Sequence, residues 1–164
     1  MRRGFFVGGH MNTVRCYDNY GNGTLISAEE LETRVAVYGV FIENGRVLLL
    51  RNRDNALWQL PGGLLAANER PSHAVRHHLR HIMGILPALG DLLLLEDRFL
   101  LDENGRGLRV STMYYALRRP TALAATLPEQ EEEDIQPEFI EIAGLKQGQL
   151  QFGYQAIHAG LAHA

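Results

Sequence analysis

Trp58-Gln-Leu-Pro-Gly-Gly63, Glu69 and the run Pro71-Ser-His-Ala-Val-Arg-His-His-Leu-Arg-His-Ile-Met-Gly-Ile85 together decide the fold. The two glycines predict a loop whose backbone reaches conformations that other residues avoid, a scaffold role for Gly62 and Gly63 whatever the chemistry. Beyond the loop, Val75, Leu79 and Ile82 fall at helical spacing on one face, which predicts a helix from Pro71 to Ile85. Proline suits its first position and Gly84 its C-terminal cap.

Working outward, Arg34 to Ile42 is β-branched and aromatic, as a buried strand should be. Glu43-Asn-Gly45 predicts a tight hairpin turn, and Val47 to Leu50 the returning strand. Leu92–Leu101 and Leu108–Leu117 read as an antiparallel pair joined by the turn Asp102–Gly107. Phe139 to Ile142 predicts a short strand and Gln149 to Ala162 a closing helix. Thr121 to Pro137 reads as a loop carrying Glu131-Glu-Glu-Asp134. At the other end, residues 1–25 are rich in Gly, Asn and Tyr without a period, and read as irregular or as an edge strand. Ser27-Ala-Glu-Glu30 has the form of a capping box opening a short helix.

The pattern from Val37 to about Ile85 resembles the Nudix (MutT-like) hydrolases, whose signature is G-x5-E-x7-R-E-U-x-E-E-x-G-U with U aliphatic. Gly63, Glu69, Leu79, Gly84 and Ile85 match it, and Trp58–Gly63 is very like the family's lead-in. With the flanking strands and the closing helix, the resemblance covers about 130 residues. It implies an α/β fold, a Nudix-type α/β/α sandwich around a mixed β-sheet, over residues 34–164. Residues 1–33 then form an N-terminal extension packed on the domain or leading into it. It also implies hydrolysis of a nucleoside diphosphate linked to another group, and homodimers such as members often form.

The catalytic core departs from that pattern. Where the family has R-E-U-x-E-E, this chain has His77-His78-Leu79-Arg80-His81-Ile82. Cleaving a diphosphate requires its charge to be neutralised and a nucleophile to be made from water, and a bound Mg²⁺ does both. Mg²⁺ prefers oxygen ligands, usually carboxylates. From Pro71 to Ile85 there is no Asp or Glu, but there are four histidines with Arg76 and Arg80. Ile82 lies only about 20° from Val75 on the helical wheel, so a carboxylate there would sit at the core's margin.

These residues predict a box that has kept its scaffold and lost its metal-binding glutamates, with weak or absent hydrolysis. The alternative is a non-catalytic module that binds a nucleotide or a protein partner. No metal ligand set and no cofactor is expected; Mg²⁺ or Mn²⁺ enters only if a site is rebuilt from Glu69 with Glu131, Glu132 and Glu133. Glu69 is the one surviving box carboxylate, a weak candidate for catalysis or an electrostatic cap at the helix start. Arg51, Arg53, Gly62, Gly63, His77, His78 and His81 are candidates for substrate phosphate. Arg51 and Arg53 alternate, which puts both on one side of a strand, as phosphate contacts or as a solvated edge.

His73, His77 and His81 recur every fourth residue, and His78 flanks them. That stripe reads as a solvated face, as contacts to phosphate, or as a site for Zn²⁺ or Ni²⁺. An anionic ligand on this helix needs no metal bridge, and its binding should strengthen below about pH 6.5, where unperturbed histidines gain charge. The acidic run is a solvated loop or a remote base. Tyr114 and Tyr115 read as packing.

The chain's 164 residues suit one domain able to bury a core, and 46% hydrophobic with 21% charged residues is ordinary for a globular protein. The net charge of −3 shows no polyanion-binding character, hence no clear nucleic-acid partner. The one cysteine, Cys16, excludes an internal disulfide and fits a reducing cytoplasm. No apolar run approaches the roughly 20 residues of a membrane span. The apolar stretch after Arg2-Arg3 is too short for a signal peptide core, and Met11 offers an alternative start.

Overall fold

Asn44 and Gly45 both have positive φ, 53° and 74°, the requirement of a tight turn whose twist matches two antiparallel strands. They join β3 (Glu32–Glu43) to β4 (Arg46–Arg51), as expected. The computed structural model describes residues 12–120 and 137–163. The expected alternative start at Met11, the loop from Thr121 and the acidic run Glu131–Asp134 lie outside the described residues. The chain divides into two compact units, one of residues 12–34 with Asp97–Ser111, the other of Val35–Glu96 with the described residues from Thr112 onward.

In the larger unit, side-chain parity sorts the strands into two faces. Tyr38, Val40 and Ile42 of β3 share one apolar cluster with Val47 and Leu49 of β4. Val37 and Phe41 share the other with Leu48 and Leu50. Helix α1 (Pro71–Met83) adds Ala74, Val75, Leu79, Ile82 and Met83 to the second cluster. Helix α2 (Tyr154–Ala162) adds Ala156 and Ile157 to the first. A sheet with one helix on each face is the expected α/β/α sandwich. Burying these two faces supplies the main driving force for folding.

Strand β4 pairs antiparallel with β5 (Trp58–Gln59) and with β9 (Pro137–Glu141). Strand β6 (Gly62–Leu64) pairs with β3, and a parallel bridge joins Trp58 to Leu150. The order continues from β3 to β8 (Gly107–Arg118) and β7 (Ala88–Leu101). The stretch Trp58–Gly63, expected as a loop, is thus two very short strands around Leu60-Pro61. The closing helix is shorter than expected. Gln149 ends a 3-10 turn, and α2 begins only after Gly153, whose φ of 89° is left-handed. Helix α1 starts at Pro71 as expected and ends at Met83, two residues before the expected Ile85, with Gly84 left-handed at its cap.

In the smaller unit, β1 (Thr13–Tyr17) and β2 (Gly23–Ser27) form an antiparallel hairpin in register from Thr13↔Ser27 to Tyr17↔Gly23. Tyr17 also pairs in parallel with Leu100. This corrects the expectation that residues 1–25 hold at most one edge strand. Ser27 makes no side-chain cap bond, and the next residues, Ala28–Glu30, form a single 3-10 turn rather than a capping-box helix. Arg109 donates to Asp97 at 2.7 Å, and that hydrogen bond holds the Asp97 carboxyl below its usual range. Cys16 is buried and free, and burial pushes its thiol up. Among the described residues, no helix is long and apolar enough to cross a membrane.

One ion pair in the larger unit is well enough shielded to matter. Arg119 donates two bonds to the Glu43 carboxylate, at 2.6 and 2.7 Å. Its guanidinium lies 5.6 Å from the Phe41 ring centre. Two-pronged, charge-assisted bonds exceed the usual surface pair. Arg119→Ala is expected to cost about 1–2 kcal/mol, read as a lower urea midpoint with an unchanged slope. A double-mutant cycle with Glu43→Gln that shows no coupling would refute this.

Candidate functional site

The strand β6 sets the site's frame. Its pairing places Gly63 opposite Val37 and Gly62 opposite Tyr38. A Cβ on Gly63 would stand 3.8 Å from the nearest ring carbon of His78, so the second glycine of the loop faces the exposed imidazoles of α1. The two glycines differ. Gly62 has a φ of 146° and could not carry a side chain, because a Cβ would meet the Val37 carbonyl oxygen at 2.1 Å. Gly63 has neither a positive φ nor a close neighbour. The special backbone expected of both belongs to Gly62 alone.

On α1 the periodicity does what the sequence implied. Val75, Leu79 and Ile82 are buried, Ile82 at 8% exposure. His73, His77, His78, Arg80 and His81 are exposed. His77, Arg80, His81 and Gly84 line a shallow hollow of about 400 Å³. Partial desolvation first, then the charges of His73, Arg80 and Arg76, hold His77 below the ordinary histidine value. Its protonation therefore needs a lower pH than the sequence alone suggested. Arg76 turns away, donating to the Pro87 carbonyl at 2.9 Å.

Glu69 is exposed, and its carboxylate accepts the Ala66 N–H at 2.8 Å while its own N–H donates to the Ala66 carbonyl at 3.1 Å. The side chain closes the loop between β6 and α1. It makes no capping hydrogen bond to the helix, where Arg70 is the N-cap residue. Arg51 ends β4, with its guanidinium 4.2 Å from the ring centre of Trp58, its cross-strand partner. Arg53 lies past the strand in a turn, so the expected common strand side for the two arginines does not exist.

An aromatic cluster beside β6 was not legible in the sequence. Tyr38 packs edge-on against Phe152 at 4.7 Å and stacks on Tyr114 at 5.9 Å. Tyr38 and Phe152 keep part of their surface exposed, while Tyr114 is fully buried, packing as expected. Only the fold brings positions so distant in sequence together. The visible signal was Tyr38 alone, a partly polar ring inside an apolar strand.

The residues at the box positions do not suit a hard divalent cation. His78 and His81 offer nitrogen, Ile82 is buried apolar surface, and the Glu69 carboxylate already accepts the Ala66 N–H. Among the described residues no three His, Cys, Asp or Glu side chains converge as a metal site.

The NUDIX domain profile matches residues 31–159. A MutT-like protein from Streptomyces ambofaciens is 39% identical over 59 residues, which is 35% of this chain and 38% of that relative, so the match spans about two fifths of the relative's length. Among solved structures, the MutT NUDIX hydrolase from Burkholderia pseudomallei superposes with a TM-score of 0.59 at 22% identity, over 78% of this chain and 98% of that one. The dihydroneopterin triphosphate pyrophosphohydrolase of E. coli gives 0.58 at 16%, over 79% and 96%. At such identities the two structures speak for the fold.

Proposed function

Because the chain belongs to the NUDIX domain family, we propose that it binds a nucleoside diphosphate derivative in the family's cleft, with weak or absent magnesium-dependent hydrolysis. One observation carries this reading. The exposed face of α1 beside Gly63 presents imidazoles and a guanidinium where the reaction needs carboxylates, and its one former glutamate position with a fixed place in the core is Ile82. A phosphate can accept hydrogen bonds from His77, His78, Arg80 and His81 with no cation between them. The partly exposed rings of Tyr38 and Phe152 offer apolar surface to a base.

Electrostatics favour the same direction. A working carboxylate site repels diphosphate until a metal intervenes, whereas this helix attracts it. Binding should tighten as pH falls and imidazoles gain charge, with His77 needing a lower pH than an ordinary histidine because its neutral form is favoured.

The test pairs kinetics with calorimetry. ADP-ribose and nucleoside triphosphates, supplied with Mg²⁺ or Mn²⁺, are expected to turn over far below ~1 s⁻¹, the low end of typical enzymes. ADP-ribose or inorganic diphosphate should bind equally with and without EDTA, and more tightly at pH 6 than at pH 8. Turnover near that rate would mean that a site has been rebuilt, to be located by Glu69→Gln and by substitutions at Glu131–Glu133. Binding that vanishes with EDTA would restore a metal site. Absence of binding under every condition would favour the second reading, a partner-docking role for the same face.

A further inference from the structure

Helix α1 carries a histidine pair of which His77 stands at the box arginine position and neither stands at a box glutamate position. His73 and His77 stand one turn apart on its solvent side, with ring centres 4.1 Å apart and planes inclined by 37°. Both are exposed, and neither ring has a hydrogen-bond partner among the described residues. On the helical wheel their midpoint lies about 110° from the centre of the three box glutamate positions, His78, His81 and Ile82, while His77 itself lies about 40° from His81.

We propose that His73 and His77 form a two-imidazole site for a borderline divalent transition cation, Zn²⁺ or Ni²⁺. The geometry is close to what such a cation needs. Metal–nitrogen distances of about 2.0–2.1 Å call for donor nitrogens roughly 3 Å apart at a tetrahedral or octahedral centre. Rings already 4.1 Å apart reach that by small rotations at exposed side chains. Imidazole suits Zn²⁺ and Ni²⁺, while Mg²⁺ keeps to oxygen, so the pair selects by softness. The nearest cations do not block it. Arg76 is held against the Pro87 carbonyl, and Arg80 is solvated, where charge repulsion is screened. Water completes the coordination shell, leaving positions open towards solvent. The folded helix fixes the two rings together and the unfolded chain does not, so the cation binds the native state selectively and stabilises it.

Thermal unfolding of the full chain with added Zn²⁺ or Ni²⁺ tests this. Cation at ten times its dissociation constant should raise Tm by about 3–6 °C. The rise should disappear in His73→Ala and in His77→Ala and persist in His163→Ala. Mg²⁺ at the same concentration should give no rise. Electron paramagnetic resonance with one equivalent of Cu²⁺ should show two coupled nitrogens, falling to one in either variant. That readout is independent of any change in stability caused by the substitutions. A shift that survives both substitutions, that instead tracks His78 and His81, or that Mg²⁺ reproduces would overturn the proposal.

Discussion

Gly62→Ala is expected to lose about 4–5 kcal/mol of stability, whereas Gly63→Ala, one residue on, should be nearly silent. The contrast arises from two adjacent backbones. At Gly62 an added methyl would sit 2.1 Å from the Val37 carbonyl oxygen, 2.7 Å from the Tyr38 Cα and 2.9 Å from the Tyr38 ring. The first two are backbone atoms of β3, the central strand of the larger unit, and cannot swing aside as a side-chain tip can. The φ of 146° is also one that L-residues rarely adopt. Relief therefore requires β6 to part from β3, which gives up the pairing from Ala36↔Leu64 to Tyr38↔Gly62. Strain and lost pairing together should cost about 4–5 kcal/mol or more, among the largest single-residue effects and a large part of a typical domain's stability. Gly63 meets only the His78 imidazole, at 3.8 Å and beyond, ordinary contact distances. Its alanine variant should lie within about 1 kcal/mol of the parent. Urea unfolding of the two variants side by side decides the matter. Equal midpoints would show that β6 does not approach β3 as described.

The elements that the sequence made legible are those where one physical signal dominates. The β3–β4 hairpin declares itself through Asn44-Gly45 and apolar runs on both sides. Helix α1 does so through Pro71, Gly84 and the Val75, Leu79, Ile82 spacing. The elements that escaped lack such a signal. In β1 the alternation is only five residues long and fully buries Cys16 alone, and its partner β2 shows one buried residue, Ser27. β5 and β6, two and three residues long, are too short to display a period. Gly153 reads as one more residue of a helix until its φ and the contact that its Cβ would make with Leu60, 2.8 Å, show it to be the cap.

The candidate site divides the same way. That His78, His81 and Ile82 stand at the spacing where the Nudix signature has glutamates is a matter of sequence, visible at once. Which of the remaining groups face one another is tertiary. Arg53 leaves the strand, Arg51 stacks on Trp58, Glu69 turns to the Ala66 amide, and Tyr38 meets Phe152. No local pattern contains those choices, because each depends on a strand register or a loop closure.

Restoring one family carboxylate by Ile82→Glu should destabilise the protein by about 3–5 kcal/mol near neutral pH, in the presence of EDTA. Ile82 is 8% exposed and packs among Val37, Phe41, Val75, Leu79, Met83 and Leu117. The substitution removes an aliphatic side chain from that cluster and puts a carboxylate where no cation stands. Ionisation is the larger part of the penalty, and it gives the effect a signature in pH. Burial disfavours the charged form, so the new group's folded pKa lies above its unfolded value of about 4.3. Below that value the carboxyl is protonated in both states and only lost packing and a buried polar group are felt. As pH rises from there to the folded pKa, the unfolded state alone gains charge, and the deficit relative to the parent grows before levelling off. A purely steric defect would give a deficit independent of pH. Adding Mg²⁺ should recover little, because His78 and His81 supply no oxygen beside the single new carboxylate. The measurement is the difference in unfolding free energy between variant and parent at several pH values from 4 to 8. A difference that is small throughout would place residue 82 at the solvent face of α1. Recovery with Mg²⁺ would mean that other carboxylates of this chain already converge there, and that the box has kept more of its metal chemistry than its histidines suggest.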